Sequence, residues 1–202
     1  MVDTLSRRLQ IEDAASALFR ERGYAATSVR DIAQALDMQG GSLYAHVSSK
    51  EDVLWSIVSR AADRFHTAVA ALADANLPAP AKLREMIRAH VRVVTGQQKD
   101  AAVFLHEWRL LSQERRDLVG LRRDQYEALF RRVIGDGIAA ETFNPVDPRM
   151  AAMALLSALN GVATWYSGDG PLSAEDVADQ YAELFLKGLT DQQPHFMTRT
   201  FS

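Results

Sequence analysis

Apolar residues recur along this chain at the three- and four-residue spacing of helices, and no segment shows the alternation of a strand. Residues 51–74 are typical, because Val53, Ile57 and Phe65 fall on one face together with their apolar neighbours. Beyond residue 74, the repeats predict helices over residues 83–95, 101–112, 114–140, 148–168 and 174–189. With three short helices before residue 50, the pattern predicts an all-α protein of about nine helices.

The segment from residue 28 to residue 51 predicts two short helices joined by a tight turn. Ser28 can cap the first helix, and Asp31 follows three residues later in a near match to the capping box. Asp37 stands at the turn, where Asp tolerates a left-handed backbone better than most residues do.

The second helix of this pair begins at residues 39–42 and has one apolar face, on which Leu43 and Val47 point inward. Its outward side chains are then Tyr44, Ala45 and His46. A helix, a tight turn and a second helix form the helix-turn-helix layout, which places the second helix in the DNA major groove. The segment therefore predicts a DNA-binding head.

The chain keeps the order and spacing of a known pattern in two stretches, IEDAASALFRERGYAATSVRDIAQAL at 11–36 and GGSLYAHVSSKEDVL at 40–54. Here it resembles the TetR-type transcriptional repressors, over roughly its first 55 residues. It departs from them where Asp37 replaces the usual Gly, and where Gln39 and Gly40 replace Ser, Thr or Arg and Lys. The resemblance implies a three-helix head at residues 1–49, a ligand-binding and dimerisation body at 50–190 and a flexible tail at 191–202.

The predicted head offers several polar side chains to DNA. We expect Tyr44 and His46 to reach phosphates and base edges, and Gln39 to make a bidentate contact with adenine. Lys50 begins a helix whose free N–H groups would also hold a phosphate, and Gly40 lets the backbone approach closely. Two hydroxyls before the first helix complete the phosphate contacts. The full predicted set is Thr27, Ser28, Arg30, Gln39, Gly40, Ser42, Tyr44, His46 and Lys50.

The body is expected to hold a ligand pocket between its helices. Buried Trp and Tyr side chains need a partner for their N–H and O–H groups, so an aromatic cluster with an amide and a guanidinium suits an amphipathic ligand. Core packing is the alternative for each aromatic residue. The predicted ligand-binding residues are Phe104, Trp108, Arg109, Tyr126, Phe130, Met153, Asn160 and Trp165.

The second half also resembles a subgroup of TetR-like regulators that sense fatty acyl-CoA or other CoA thioesters. The segments that resemble it are HEWRLLSQERRD at 106–117, RRDQYEALFRRVIGDGI at 122–138 and NGVATWYSGDGPLSAEDVADQYAELFLKGL at 160–189. An acyl-CoA needs an apolar channel and cations for its phosphates. The candidate cations are Arg109, Arg115, Arg116, Arg122 and Arg123, and the alternative is that they pair with neighbouring acidic side chains on solvated helix faces.

The last two predicted helices carry the expected dimer surface. The first of them presents small residues that permit close helix approach: Ala151, Ala152, Ala154, Ser157, Ala158 and Gly161. The second has an apolar stripe at Val177, Tyr181, Leu184 and Phe185. Both faces could instead be buried within one chain. We favour a homodimer, because a protein that reads half-sites gains affinity and specificity from a twofold partner.

Composition narrows the function further. The chain of 202 residues contains no Cys, which excludes disulfides and thiolate metal sites. Its N-terminus lacks the apolar region of a signal peptide, and its longest apolar stretch is too short to span a membrane, so a cytoplasmic location is expected. The net charge of −3 leaves phosphate contact to local cations such as Arg30. The five His are scattered and no catalytic motif appears, so we expect neither an enzyme, a metal nor a cofactor.

These observations favour a ligand-responsive repressor that binds a palindromic DNA operator as a homodimer and is released by a small-molecule effector, such as a CoA thioester. The alternative is a helical small-molecule-binding protein or enzyme whose DNA-binding head does not function.

Overall fold

The computed structural model describes residues 2–190, and in this range the chain is all-α, as predicted. Within these residues, nine α-helices follow one another, with a 3₁₀ turn at Trp108–Leu110 between the sixth and the seventh. The predicted tail, residues 191–202, lies outside the described residues. The helices are α1 (Val2–Arg22), α2 (Val29–Gln34), α3 (Gly40–Leu43), α4 (Lys50–Ala73), α5 (Ala79–Gly96), α6 (Gln98–His106), α7 (Gln113–Ala139), α8 (Pro148–Trp165) and α9 (Ala174–Thr190).

The first three helices form a small head around apolar side chains. Ile11 and Phe19 of α1, Ile32 of α2 and Leu43 of α3 are almost completely buried. The Tyr24 ring stands edge-on to Phe19 at 5.2 Å between centroids and covers one side of this core. Burial of four large apolar side chains is what allows helices as short as α2 and α3 to persist, since isolated helices of this length are unstable in water.

The helices from α4 to α9 form the body. Helix α5 runs through its middle and contacts α4, α7, α8 and α9, which explains why its Met86, Ile87 and Val91 are fully buried. Helix α4 contacts α1 as well as α5, α6 and α7, so the same helix belongs to the head at its start and to the body thereafter. The predicted boundary between domains falls at its first residue, and that division stays a prediction.

The helix predicted over residues 101–112 is wrong at both ends. Helix α6 begins at Gln98 and ends at His106, and after the 3₁₀ turn Leu111 is extended. A continuous helix would compete with two fixed contacts, because the Ser112 N–H donates to Glu51 Oε1 at 3.0 Å and Leu111 is buried in the core. Helix α8 also ends before the predicted residue 168, since Tyr166 is extended.

A close packing contact holds the end of α7 against the loop that follows it. The Gly137 carbonyl accepts the backbone N–H groups of Thr142 and Phe143 at 2.9 and 3.0 Å. This turn folds the Phe143 ring over Gly137, where a Cβ atom would overlap the ring and touch Ala79 Cβ. Gly137 is therefore required for its lack of a side chain.

We expect Gly137→Ala to lower the free energy of unfolding by about 1–3 kcal/mol, because the added methyl group forces Phe143 out of its place. Gly135→Ala is the matched control, since a Cβ there meets no atom within 4 Å. The control should gain stability, by about 0.5–1 kcal/mol, from its higher helix propensity. Urea denaturation measures both, and equal effects of the two changes would contradict this account.

Candidate DNA-reading head and ligand cavity

The start of α2 has the predicted capping box. Ser28 Oγ accepts the Asp31 N–H at 3.1 Å, and Asp31 Oδ2 accepts the Ser28 N–H at 2.7 Å. The hydrogen bonds from the Ser28 hydroxyl and N–H lower the pKa of Asp31, because they favour its charged form. The capping box thus satisfies two of the free N–H groups at this helix end, those of Ser28 and Asp31.

The turn between α2 and α3 takes the predicted form at Asp37. Its φ of 53° is left-handed, and the next residue, Met38, donates its N–H back to Ala33 O at 2.9 Å. The chain thus leaves α2 at a fixed angle, and α3 begins at Gly40.

Several predicted DNA contacts lie on the outside of the head. Gln39, Ser42 and Arg30 are exposed, and Tyr44 leaves 58% of its surface free, the largest exposed ring of the head. His46 differs from the prediction, because it is half-buried and its Nδ1 is enclosed without a hydrogen-bond partner among the described residues. The outward face of this segment is therefore formed mainly by Gln39, Ser42 and Tyr44.

Two predicted phosphate ligands are used inside the head instead. The Lys50 ammonium donates to Tyr24 O at 2.9 Å and to Thr27 O at 2.8 Å, and it lies 4.1 Å from the centre of the Tyr24 ring. Thr27 is buried and its Oγ1 donates to Gly23 O at 2.9 Å. Lys50 thus ties the start of α4 to the loop before α2, because a long cation can reach two carbonyls that no helix satisfies.

A buried group of charges joins the head to the body. Asp100 of α6 is 5% exposed; its Oδ1 accepts from Ser16 Oγ of α1 at 2.7 Å. Its Oδ2 accepts from Arg60 Nη2 at 3.0 Å and from Arg64 Nη1 at 2.8 Å, both on α4. Arg60 also donates to buried Glu12 of α1. Three helices therefore share one network of paired charges.

A cavity of about 280 Å³ lies in the body between α4, α5, α6, α7 and α8. Apolar and aromatic side chains form half of its lining, and polar or charged side chains form the other half. The lining residues are Ala62, Phe65, His90, Phe104, Leu105, Arg122, Arg123, Asp124, Tyr126, Glu127, Met153, Leu156, Ser157 and Asn160.

Four of the eight predicted ligand residues line this cavity: Phe104, Tyr126, Met153 and Asn160. Phe130 is fully buried behind Tyr126, with the two ring centres 5.4 Å apart, so it supports the wall without forming it. Trp165 lies away from the cavity, half exposed at the end of α8. Its place was misjudged because the helix ends there and its ring packs on Tyr166.

The five candidate arginines divide into two groups. Arg115 pairs with Glu51 and Asp52, Arg116 donates to Leu111 O at 2.9 Å, and Arg122 pairs with Asp63 at 3.1 Å. The carboxylate partners of Arg115 and Arg122 are distant in sequence, whereas Arg116 bonds to a carbonyl five residues before it. In the described part of the chain, no carboxylate lies within ion-pair distance of the other two, Arg109 and Arg123.

Arg123 is the more unusual of these two cations, because it is half-buried at the cavity wall. Its guanidinium lies 5.4 Å from the Trp108 ring and 5.5 Å from the Phe104 ring. Burial and then the charge of Arg109 lower the pKa of Arg123, and Asp124 partly opposes them. The Trp108 Nε1 is buried nearby without a hydrogen-bond partner among the described residues. An anion beside this cluster would satisfy both groups.

At another side of the cavity, His90 pairs with Tyr126. His90 is 1% exposed, and its Nδ1 lies 2.9 Å from the Tyr126 hydroxyl. Burial lowers the pKa of His90 to about 3, although the Asn160 amide acts in the opposite direction, and burial raises the pKa of Tyr126. Both side chains are therefore uncharged at neutral pH.

Within residues 2–190, no helix is long and apolar enough to cross a membrane. The same residues contain no cluster of three or more His, Asp or Glu side chains that could hold a metal ion.

Comparison with known proteins identifies the family. Residues 76–189 match the family model described as "Tetracyclin repressor-like, C-terminal domain", and residues 11–57 match "Bacterial regulatory proteins, tetR family". The chain belongs to the TetR family of bacterial regulators. The two family models together cover the head and the body, whereas the TetR resemblance seen in the sequence covered roughly the first 55 residues.

Three relatives illustrate the similarity of the chain to known TetR-family proteins. The HTH-type transcriptional repressor KstR2 of Mycobacterium tuberculosis is 29% identical over 93% of this chain and 94% of its own. The structure of PfmR from Thermus thermophilus is 35% identical, with a TM-score of 0.82, over 90% of this chain and 99% of its own. AibR, solved with isovaleryl coenzyme A and operator DNA, is 28% identical, with a TM-score of 0.79, over 91% and 97%.

Sequence reasoning missed two features of this TetR-family member. Ser16 interrupts an apolar run on its helix, and that polar interruption was the available signal for the buried network, whereas Asp100 follows three polar residues and gave no such signal. His90 was counted only among the five scattered histidines. Its place on the apolar face of α5, between Met86 and Val94, was the signal that it is buried.

The depressed pKa of His90 should make stability depend on pH. The unfolded chain binds a proton below its ordinary pKa of 6.5, and the folded chain does not until about 3. The contribution of His90 to the free energy of unfolding is therefore fully present above pH 6.5, and it falls as the pH is lowered through this window. We expect a loss of about 2 kcal/mol from about pH 7 to about pH 5, measured by urea denaturation.

His90→Phe is the comparison variant, because it keeps an aromatic ring and removes the titrating group. It should lose most of this dependence between about pH 7 and about pH 5, where carboxylates with lowered pKa values, such as Asp31, stay charged. The same slope in both proteins would contradict the assignment to His90.

Proposed function

We propose that the protein is a ligand-responsive transcriptional repressor, which binds a palindromic operator as a homodimer and is released by a small-molecule effector. The observation that carries this proposal is a rigid helix-turn-helix head joined through buried charges to a body with a ligand cavity. Its place of action is the cytoplasm, where operator DNA is found.

In the reading head, different residues take different roles. Gln39, Ser42 and Tyr44 contact base edges and phosphates, because they are exposed on and beside α3. Arg30 is exposed on α2 and contacts a phosphate, and the exposed Ser28 can do so beside its cap. The backbone at Gly40 approaches the DNA closely. Thr27, His46 and Lys50 support the head from within rather than contacting DNA through free side chains.

The second protomer binds to the faces of α8 and α9 that this chain leaves uncovered. Met150, Met153 and Leu184 are exposed by 61%, 44% and 67%, unusually high values for large apolar side chains. An apolar groove of about 340 Å³ runs between the two helices. A twofold partner would cover this groove and would space the two heads to match the two half-sites of the operator.

The effector is a CoA thioester, with its acyl group in the cavity. Apolar walls suit the acyl chain, and the Arg123 and Arg109 guanidiniums with the Trp108 N–H suit a phosphate. The relative AibR was solved with isovaleryl coenzyme A and operator DNA, which supports this class.

Helix α6 connects the cavity to the head. Phe104 lines the cavity, and Asp100, one turn earlier on the same face, accepts the hydrogen bond from Ser16 of α1. An effector that displaces Phe104 shifts Asp100 and its partners together. The effector thereby favours dimers whose heads no longer match the operator spacing. The size of this shift is set by how much more tightly the effector binds these dimers than the dimers that match the operator.

We expect Tyr44→Ala to weaken operator binding by about tenfold or more, because it removes a direct contact from a side chain that makes little packing contact. The measurement is a mobility-shift titration with DNA flanking the protein's own gene, at several salt concentrations. Thermal stability should not change. Leu77→Ala, at an exposed apolar residue between α4 and α5, is the control and should bind like the wild type.

If the wild type shows no salt-dependent, sequence-specific binding to DNA, the proposal that the protein is a repressor is overturned. The alternative, a binding protein or enzyme with an inactive head, would then remain.

We expect Arg123→Gln to raise the CoA thioester concentration needed for operator release by about tenfold or more, since a charge-assisted hydrogen bond is lost. Operator affinity without effector should stay the same. Arg132→Gln is the matched control on α7, because Arg132 pairs with Asp74 outside the cavity. Release at equal concentrations in both variants would remove Arg123 from the effector site, and no release by any thioester would discard this effector class.

A further inference from the structure

One wall of the cavity carries hydrogen-bonding groups that an alkyl chain cannot use. His90, Tyr126 and Asn160 all line it, among the aromatic side chains Phe65 and Phe104. The His90 ring centre is 5.0 Å from that of Phe65, and His90 Nε2 is buried without a well-formed hydrogen bond in the described part of the chain. A side-chain interaction with Asn160 raises the pKa of His90, against the larger effect of burial.

The hydrogen bond between His90 and Tyr126 can form in two ways, one for each tautomer of the neutral His90 ring. A neutral imidazole has one N–H and one bare nitrogen, and Nδ1 shares a hydrogen bond with the Tyr126 hydroxyl. If Tyr126 donates to Nδ1, then Nε2 carries the remaining donor and the tyrosine oxygen can accept. If Nδ1 donates, then the Tyr126 O–H is the remaining donor and Nε2 accepts. Either tautomer leaves one donor and one acceptor for the cavity.

On the premise of the function proposed above, we propose that the effector's acyl group carries a hydroxyl or keto oxygen, and that the donor left free by the His90–Tyr126 pair binds this oxygen. Such an oxygen accepts a hydrogen bond from this donor, which is His90 Nε2–H in one tautomer and Tyr126 O–H in the other. A saturated chain would leave this donor unpaired or trap a water against hydrocarbon. Sites built to hydrogen-bond an oxygen reject analogues that lack it.

The test is calorimetric titration of the full-length protein with matched sets of acyl-CoA thioesters, each set containing the saturated, the 3-hydroxy and the 3-oxo acyl group at one chain length. Six-carbon and ten-carbon sets are used, and the corresponding free acids form a second series. We expect an oxygenated member to bind at least about tenfold more tightly than its saturated counterpart. The hydroxy and oxo arms tell which oxygen is preferred.

Tyr126→Phe is the decisive variant, because it removes only the hydroxyl. It should abolish the preference for oxygenated members and leave the affinity for saturated ones within about twofold. Asn160→Ala, which removes the amide beside Nε2, should weaken the same preference. Tyr166→Phe is the matched control, since Tyr166 does not line the cavity, and should change nothing.

The outcomes separate this inference from the proposed function. Equal binding of saturated and oxygenated thioesters, with release of operator DNA, overturns the inference and keeps the repressor. An oxygen preference shown only by free acids keeps the inference and discards the CoA thioester. An oxygen preference that Tyr126→Phe leaves unchanged overturns the inference alone, and binding of neither series overturns both the inference and the proposed effector.

Discussion

One buried carboxylate, that of Asp100, constrains the relative positions of three helices. Removing a charge from water is costly unless it is paired and hydrogen-bonded, and Asp100 is compensated by Ser16 of α1 and by Arg60 and Arg64 of α4. A shift of α6 away from α4 would leave the buried Asp100 carboxylate without its arginines, and a shift of α1 would break the Ser16 hydrogen bond and the Glu12–Arg60 pair. The arrangement therefore behaves as a unit with few alternatives, which is the property that a two-state regulator needs.

The local features of the head could be predicted from sequence because short-range rules decide them. Ser28 and Asp31 are three residues apart, and Asp37 has a residue type that tolerates positive φ, so the cap and the turn follow from the nearest neighbours. The place of Lys50 could not be predicted in this way. Its two acceptors lie more than twenty residues earlier in the chain, and only the folded head brings them together.

The sequence predicted a cavity between the helices of the body, and four of the eight residues predicted to bind a ligand line the cavity that is found. Trp108 and Arg109 do not line the cavity; they were predicted to do so because the helical repeat was assumed to continue through residues 107–111, although the chain changes direction there. A change of direction resets which face of the chain points inward, so periodicity alone cannot tell a lining ring such as Tyr126 from a supporting ring such as Phe130. Long-range contacts, such as Ser112 with Glu51, decide where the change occurs.

The internal position of Lys50 illustrates that the side chains of the head fall into two separate groups. Under the proposed function, the groups that hold the three helices together point inward, and those that meet the operator, Gln39, Ser42 and Tyr44, make little contact with the core. Operator preference can then drift by exchange of a few outer side chains while the architecture is inherited unchanged. The same division would let an engineer retarget the protein to new DNA without having to redesign its folding.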